Sequence, residues 1–320
     1  AMASYLLARA VQSLAVLVVM SLVIYGLIGL MPGDPIDLLL QADPTITAAD
    51  VARLRALHGL DRPLVERWLA WLGKVLHGEL GHSRLYAVPV ADVLVPRLVN
   101  TLLLMGSSLV LALAIAVPVG IVAALRRGSW LDHLVNVVTL AGFSMPSFWL
   151  ALLMILLFAV ELGWLPAGGV QGTEAGAGLP ERLRYLVLPV ATLTLLTAAG
   201  FVRFVRAAVL ETLAEPFVRT ARARGCGTTR LVVRHLGRHV ALPLVTVVGL
   251  HLGALFSGAV VVETVFAYLG MGKLIYDAVL GNDFNLALVA LMLATALTLL
   301  ANLLADVVQI ALDPRVEPHG

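Results

Sequence analysis

Glu215-Pro216-Phe217-Val218-Arg219-Thr220-Ala221-Arg222-Ala223-Arg224-Gly225 is an arginine-bearing stretch between two long apolar runs, residues 186–210 before it and 240–265 after it. Pro216 fits the first turn of a helix, where its missing N–H leaves no hydrogen bond unmade. Gly225 and Gly227 fit the end, where the backbone often turns left-handed. The pattern predicts a short helix, a glycine turn and a second helix that enters the next apolar run. If both runs cross a bilayer, a short helix held between them can carry a push from a soluble partner into the membrane.

The remainder of the chain argues that they do. Of its 320 residues, 60% are hydrophobic and 13% charged, with a mean hydropathy of +0.96. An ordinary globular domain is about 45–50% apolar and about 25% charged. A water-soluble fold of this length could not hide so much apolar surface, and disorder goes with low hydrophobicity. The net charge of only +2 excludes a general polyanion binder, so no nucleic-acid partner is expected. Cys226 is the single cysteine, which leaves no internal disulfide and no paired-cysteine metal spacing.

A helix needs about 20 mostly apolar residues to cross the hydrocarbon core. Six stretches qualify, at about residues 6–30, 98–125, 134–162, 186–210, 240–265 and 286–312. The first is too long for a signal-peptide core and lacks an obvious cleavage site, so it reads as a retained span. With an inner N-terminus, the inner segments hold Arg9, Arg126, Arg127, Arg203, Arg206, Arg219, Arg222, Arg224, Arg230, Arg234, Arg238 and Arg315. The two short outer loops hold only Arg182, Arg184 and Lys273. Positive residues favour the cytoplasmic side, so both termini are expected there.

The fold class is therefore an all-α polytopic membrane protein with six transmembrane helices. An N-terminal helix (1–30) is followed by an extracytoplasmic helical insertion (31–96) between spans one and two. The core (97–312) carries a cytoplasmic loop at 211–239, and a short cytoplasmic tail (313–320) closes the chain. In the insertion, Thr47-Ala48-Ala49-Asp50 resembles a capping box that opens one helix, with Val51, Leu54 and Leu57 on one side. Asp61 and Pro63 open a second helix, amphipathic, with Leu64, Trp68, Leu72, Val75 and Leu76. Trp68 and Trp71 suit the membrane–water boundary.

Several residues carry two readings. His251, in the middle of span five, either lines a translocation pathway or bonds to a neighbouring helix. Arg203 and Arg206 either snorkel to the inner interface or bind a peptide carboxylate, with snorkelling the cheaper account. His235 and His239, four apart, have the spacing of metal ligands. Arg234 and Arg238 oppose a dication there, and a structural role is expected. His77, Glu79 and His82 fall in a turn-forming motif, and no metal site is expected. Gly249, Gly253 and Ser257 repeat every fourth residue, which suits close helix packing. Pro118, Pro146 and Pro189 fall inside spans and could kink them, since Pro removes a helix hydrogen bond. Glu161 and Glu263 lie near outer span ends, where water should reach them.

Residues 217–225 resemble, nearly residue for residue, the cytoplasmic "EAA" loop of bacterial ABC importer permeases of the dipeptide/oligopeptide/nickel family. The resemblance extends along the chain. It includes Met31-Pro32-Gly33-Asp34-Pro35, Gly78-Glu79-Leu80-Gly81-His82-Ser83 with Pro89-Val90, and Ser144-Met145-Pro146-Ser147-Phe148-Trp149. Trp164-Leu165-Pro166, Leu242-Pro243, Glu263-Thr264-Val265-Phe266 with Gly270-Met271-Gly272, and Ala311-Leu312-Asp313-Pro314-Arg315 complete the set. Arg219-Thr220-Ala221 stands where the wider superfamily has Glu-Ala-Ala, and the spacing from Gly225 to Pro243 is longer than the superfamily pattern.

The resemblance implies a type I ABC importer permease fold in the bacterial inner membrane. It implies that Glu215, Pro216, Phe217, Arg219, Thr220, Ala221, Arg222, Arg224 and Gly225 meet an ATPase. It further implies a second homologous permease, two ABC ATPases and an extracytoplasmic binding protein as partners, besides membrane lipid. The sequence holds no G-x-x-x-x-G-K-[ST] phosphate loop. No cofactor or catalytic residue is therefore expected on this chain, and ATP with Mg is expected on the partner ATPases. Di- or oligopeptides are the implied substrates, with nickel or a metal chelate as the alternative. A self-sufficient secondary transporter would show inverted repeats with intramembrane carboxylates. An intramembrane enzyme would need a nucleophile–base pair or a metal set, and neither pattern is found.

Overall fold

The computed structural model describes residues 2–30, 50, 53, 61–169 and 178–312. They form helices α1 (Met2–Gly29), α2 (Leu64–Leu76), α3 (Val90–Leu125), α4 (Trp130–Ser144), α5 (Ser147–Met154) and α6 (Leu179–Ala214). These are followed by α7 (Pro216–Ala223), α8 (Gly237–Val265), α9 (Met271–Leu280) and α10 (Phe284–Leu312). Thr228–Arg230 and a π-helical turn, Leu231–Leu236, lead into α8. Thr47–Ala49 of the capping box and most of the helix expected after it lie outside the described residues, as do the rest of residues 31–49, 170–177 and 313–320.

Leu7–Gly29, Val90–Leu125, Leu179–Ala214 and Phe284–Val308 are long and apolar enough to cross a membrane. A further candidate is the pair Trp130–Ser144 and Ser147–Glu161, which meet at 105°. His239–Gly253, inside α8, is a shorter apolar segment. The all-helical membrane class thus holds, and among the described residues four helices are long enough to span, or five if the bent pair counts as one.

The three prolines inside spans behave differently. Pro118 and Pro189 stay inside unbroken helices. Pro146 breaks its helix, because a residue before proline is pushed out of the helical region. Met145 accordingly sits at φ −82°, ψ 127°, and Pro146 itself at ψ 136°. The chain then resumes as α5 and a π-helical turn, Ile155–Glu161.

The chain divides into two compact units, Leu98–Lys273 with Ala1–Tyr5 and Leu300–Gly320, and Leu6–Arg97 with Leu274–Leu299. In the first, α6 is the hub and packs against α4, α5 and α8. Its buried residues, including Leu188, Thr192, Leu193, Thr197, Ala198, Phe201, Val202, Val205 and Val209, face more than one side, as expected for a helix with several neighbours. Its core runs as three clusters. One gathers Leu104, Leu188, Leu193, Val262 and Phe266. The next gathers Ala112, Ala116, Ala198, Phe201 and Val202. The last gathers Ala124, Val205, Val209, Val218, Leu231 and Val240. The small residue at Gly249 does allow close packing, since a Cβ there would fall 2.3 Å from that of Ala305 on α10.

In the second unit, α2 lies on α1. Trp68 is buried, and its indole N–H donates to Ser21 Oγ at 2.9 Å. Trp71 packs on Tyr25 with ring centroids 5.9 Å apart. The Gly78–Ser83 motif is a turn closed by a bridge between His82 and Pro89. It docks on the start of α10, where Ser83 Oγ donates to Asp283 Oδ2 at 2.6 Å and Asn285 Nδ2 donates to Leu80 O at 2.8 Å. Asp283 also accepts from the Leu286 N–H and so caps the helix.

Candidate functional site

α7 is short and strongly two-faced. Pro216 opens it after Glu215, whose backbone is extended. At its end Gly225 N–H donates to Arg222 O at 2.9 Å and Cys226 N–H to Ala221 O at 3.1 Å. This pair of bonds closes the helix with Gly225 at φ +77°, a left-handed conformation that glycine adopts without strain. Val218 is 0% exposed and joins Val205, Val209, Leu231 and Leu236. Burying that side chain contributes about 1.5–3 kcal/mol. Phe217 and Ala221 pack beside it, and the Phe217 ring stacks on His239 at 4.8 Å. Arg219, Thr220, Arg222, Ala223 and Arg224 are all exposed. The helix is thus pinned on one side and presents three guanidinium groups on the other, beside a cavity lined by Thr220, Arg224, Cys226 and Arg230.

The other candidate residues separate into two places. Arg206 does not snorkel. It holds Asp132 at the start of α4 through two bonds, Nε to Oδ1 at 2.6 Å and Nη2 to Oδ2 at 2.9 Å. Asp132 is 4% exposed and also accepts from the Gly128 N–H and from Asn136. Ser129 caps the same helix, a Ser-x-x-Asp pattern visible in the sequence. Arg203 lies elsewhere, with its guanidinium 5.6 Å from the Phe143 ring centre. His251 packs on Phe201 at 4.9 Å, and its Nδ1 lies 3.3 Å from Val247 O. The side chain of His235 lies outside the described residues.

Glu263 departs from the expectation of water access, for it is 0% exposed. Thr101 Oγ1 donates to its Oε1 at 2.5 Å, and the Lys273 N–H to its Oε2 at 2.9 Å. The loop after α8 wraps this carboxylate. A Cβ on Gly270 would fall 2.1 Å from Glu263 Cδ, so only glycine fits. Met271 N–H donates to Thr101 Oγ1, and Asn100 Nδ2 to Leu269 O. Among the described residues, no group of three or more His, Cys, Asp or Glu lies close enough to hold a metal ion.

Apolar helices grouped around a hub, with an arginine-faced helix looped out between two of them, define a membrane transport subunit of the permease class. The chain belongs to the family described as binding-protein-dependent transport system inner membrane component, which it matches over residues 116–318, while residues 2–105 match the N-terminal component of the same systems. It is 39% identical over 317 residues to a chain of Brucella suis biovar 1 named as a peptide permease protein, covering 99% of each. It is 34% identical to the oligopeptide transport system permease protein AppB of Bacillus subtilis, covering 99% of this chain and 100% of that one. It is likewise 34% identical to the glutathione transport system permease protein GsiC of Escherichia coli O6:H1, over 98% and 99%. Among solved structures, a chain of the MetNI methionine ABC transporter in an inward-facing form shares the fold at a TM-score of 0.57 and 22% identity, covering 70% of this chain and 98% of that one. It is thus a multi-pass inner-membrane permease subunit.

Proposed function

We propose that this chain is the membrane-spanning subunit of an ATP-driven importer for di- or oligopeptides and moves them by alternating access. The observation that carries the reading is α7, anchored through Val218 with Arg219, Arg222 and Arg224 outward. A rigid helix with an unburied cationic face suits docking on a soluble engine, and its anchor passes motion to α6 and α8. The engine is a pair of ABC ATPases that bind ATP and Mg. A second, homologous permease completes the membrane part, and an extracytoplasmic binding protein delivers substrate. In this reading the chain crosses the membrane six times with both termini cytoplasmic, and α8 supplies the fifth span. The insertion between spans one and two lies on the outer face. His251 and Arg203 line the route, whereas Arg206 acts as a structural tie. The chain itself is not catalytic and carries no cofactor.

The test is purification from the native membrane in mild detergent. The expected result is an ATPase pair that travels with the wild-type chain and is lost in Arg219→Glu with Arg222→Glu, the helix remaining folded. Proteoliposomes of the full assembly should import peptide only with ATP and binding protein. A chain that concentrates peptide alone, without nucleotide, would sink the reading.

A further inference from the structure

Arg203 and Arg206 stand one turn apart on α6, yet their fates differ. Arg206 is paired with Asp132 through two hydrogen bonds. Arg203 is exposed and lies against an aromatic face, and no carboxylate among the described residues pairs with it. It sits eleven residues before Ala214, the end of α6, which places it about 16 Å from that end at about 1.5 Å per residue. It lies within the apolar run 186–210, where a guanidinium turned to lipid is costly and such residues face a cavity or a partner. The ring of Phe143, 64% exposed, attracts the cation through its face and leaves the N–H edge of the guanidinium open.

His251 reaches the same neighbourhood. Gly200, one turn before Arg203, is the point where a Cβ would lie 3.8 Å from His251 Nε2 and 4.0 Å from Phe143 Cδ2. With Nδ1 turned to Val247 O, Nε2 is the edge of the imidazole that faces Gly200. Phe201, fully buried, holds the imidazole from behind. A guanidinium and an imidazole edge thus lie near one exposed aromatic ring, at a position where glycine leaves the imidazole edge uncovered.

We propose that Arg203, His251 and Phe143 form a recognition station for the free carboxylate of the peptide in transit. The carboxylate is taken by the guanidinium edge of Arg203, and a substrate N–H donates to His251 Nε2. The planar fork of arginine suits this role better than the point charge of lysine. The proposal rests on the permease reading above and adds a charge preference set by this chain, separate from that of a binding protein.

The test uses the complete reconstituted importer with saturating binding protein, and dialanine and its C-terminal carboxamide as probes. Arg203→Gln should lower dialanine uptake at least tenfold, with ATP hydrolysis stimulated by the loaded binding protein within twofold of wild type. Arg203→Lys should fall between the two. Carboxamide uptake should be the same in wild type and in Arg203→Gln. His251→Gln should lower both probes by a similar factor, because both keep N–H donors. Dialanine uptake within twofold of wild type in Arg203→Gln overturns the proposal, as does an equal loss of both probes, which would mark Arg203 as a packing or lipid-binding residue. Uptake of neither probe by the wild-type importer would instead overturn the peptide reading itself, and this station with it.

Discussion

The Thr101 hydroxyl donates to Glu263 Oε1 at 2.5 Å while accepting from the Met271 N–H at 2.7 Å, so one hydroxyl joins α3, α8 and the loop that follows α8. A buried carboxylate without its donors, or donors without their carboxylate, costs about 1–3 kcal/mol for each group left unsatisfied. Glu263→Ala should therefore destabilise the protein by about 3 kcal/mol or more. Thr101→Val should do so by about 1–3 kcal/mol. Gly270→Ala should be as damaging as Thr101→Val, because its Cβ would collide with the Glu263 carboxyl group. Thermal unfolding in detergent, followed by size-exclusion chromatography, ranks the three.

Arg206 and Arg203 should part company in the same assay. Breaking a buried ion pair by removing one member costs about 3–5 kcal/mol, and Arg206, 22% exposed, belongs at or below the lower end of that range. Arg206→Gln should thus lower the unfolding temperature measurably, and Arg203→Gln should leave it unchanged. Exchanging the pair as Asp132→Arg with Arg206→Asp should not restore stability, because the Gly128 N–H and the start of α4 both favour a negative group at position 132.

The coupling helix should separate stability from function. Gly225→Val requires a left-handed β-branched residue and should cost about 1–3 kcal/mol, while Gly225→Asn should be milder. Val218→Asp should collapse the anchor. Reversing Arg222 should leave the unfolding temperature within the error of the measurement and abolish ATP-driven uptake. Parallel loss of folding and uptake in the Arg222 variant would count against the docking face.

The contact between Gly249 and Ala305 predicts that Gly249→Leu separates α8 from α10, whereas Ala305→Gly is tolerated at about 1 kcal/mol. Thermal unfolding of the two single variants in detergent reads the difference directly.

What the sequence made legible were features written locally. The length of the apolar runs, Pro216 and Gly225 at the two ends of α7, and the turn at Gly78–Ser83 each follow from neighbours along the chain. The misreadings involve partners far away in sequence. Nothing near Arg206 announces Asp132, 74 positions earlier, and Glu263 looked wet because the loop that returns to cover it lies beyond its span. The partner of the Trp68 indole, Ser21, lies 47 positions earlier and is likewise visible only in the fold. Pro118, Pro146 and Pro189 are the same residue in similar apolar surroundings, yet only at Pro146 does the helix give way.

That break has a mechanical corollary. Two consecutive extended residues, Met145 and Pro146, form an elbow whose arms are intact helices set at 105°. Opening or closing the elbow rotates two backbone torsions and ruptures no hydrogen bond inside either arm. A joint of this kind swings at little cost where a continuous helix would have to unwind, so any rocking of the subunit should concentrate its strain there.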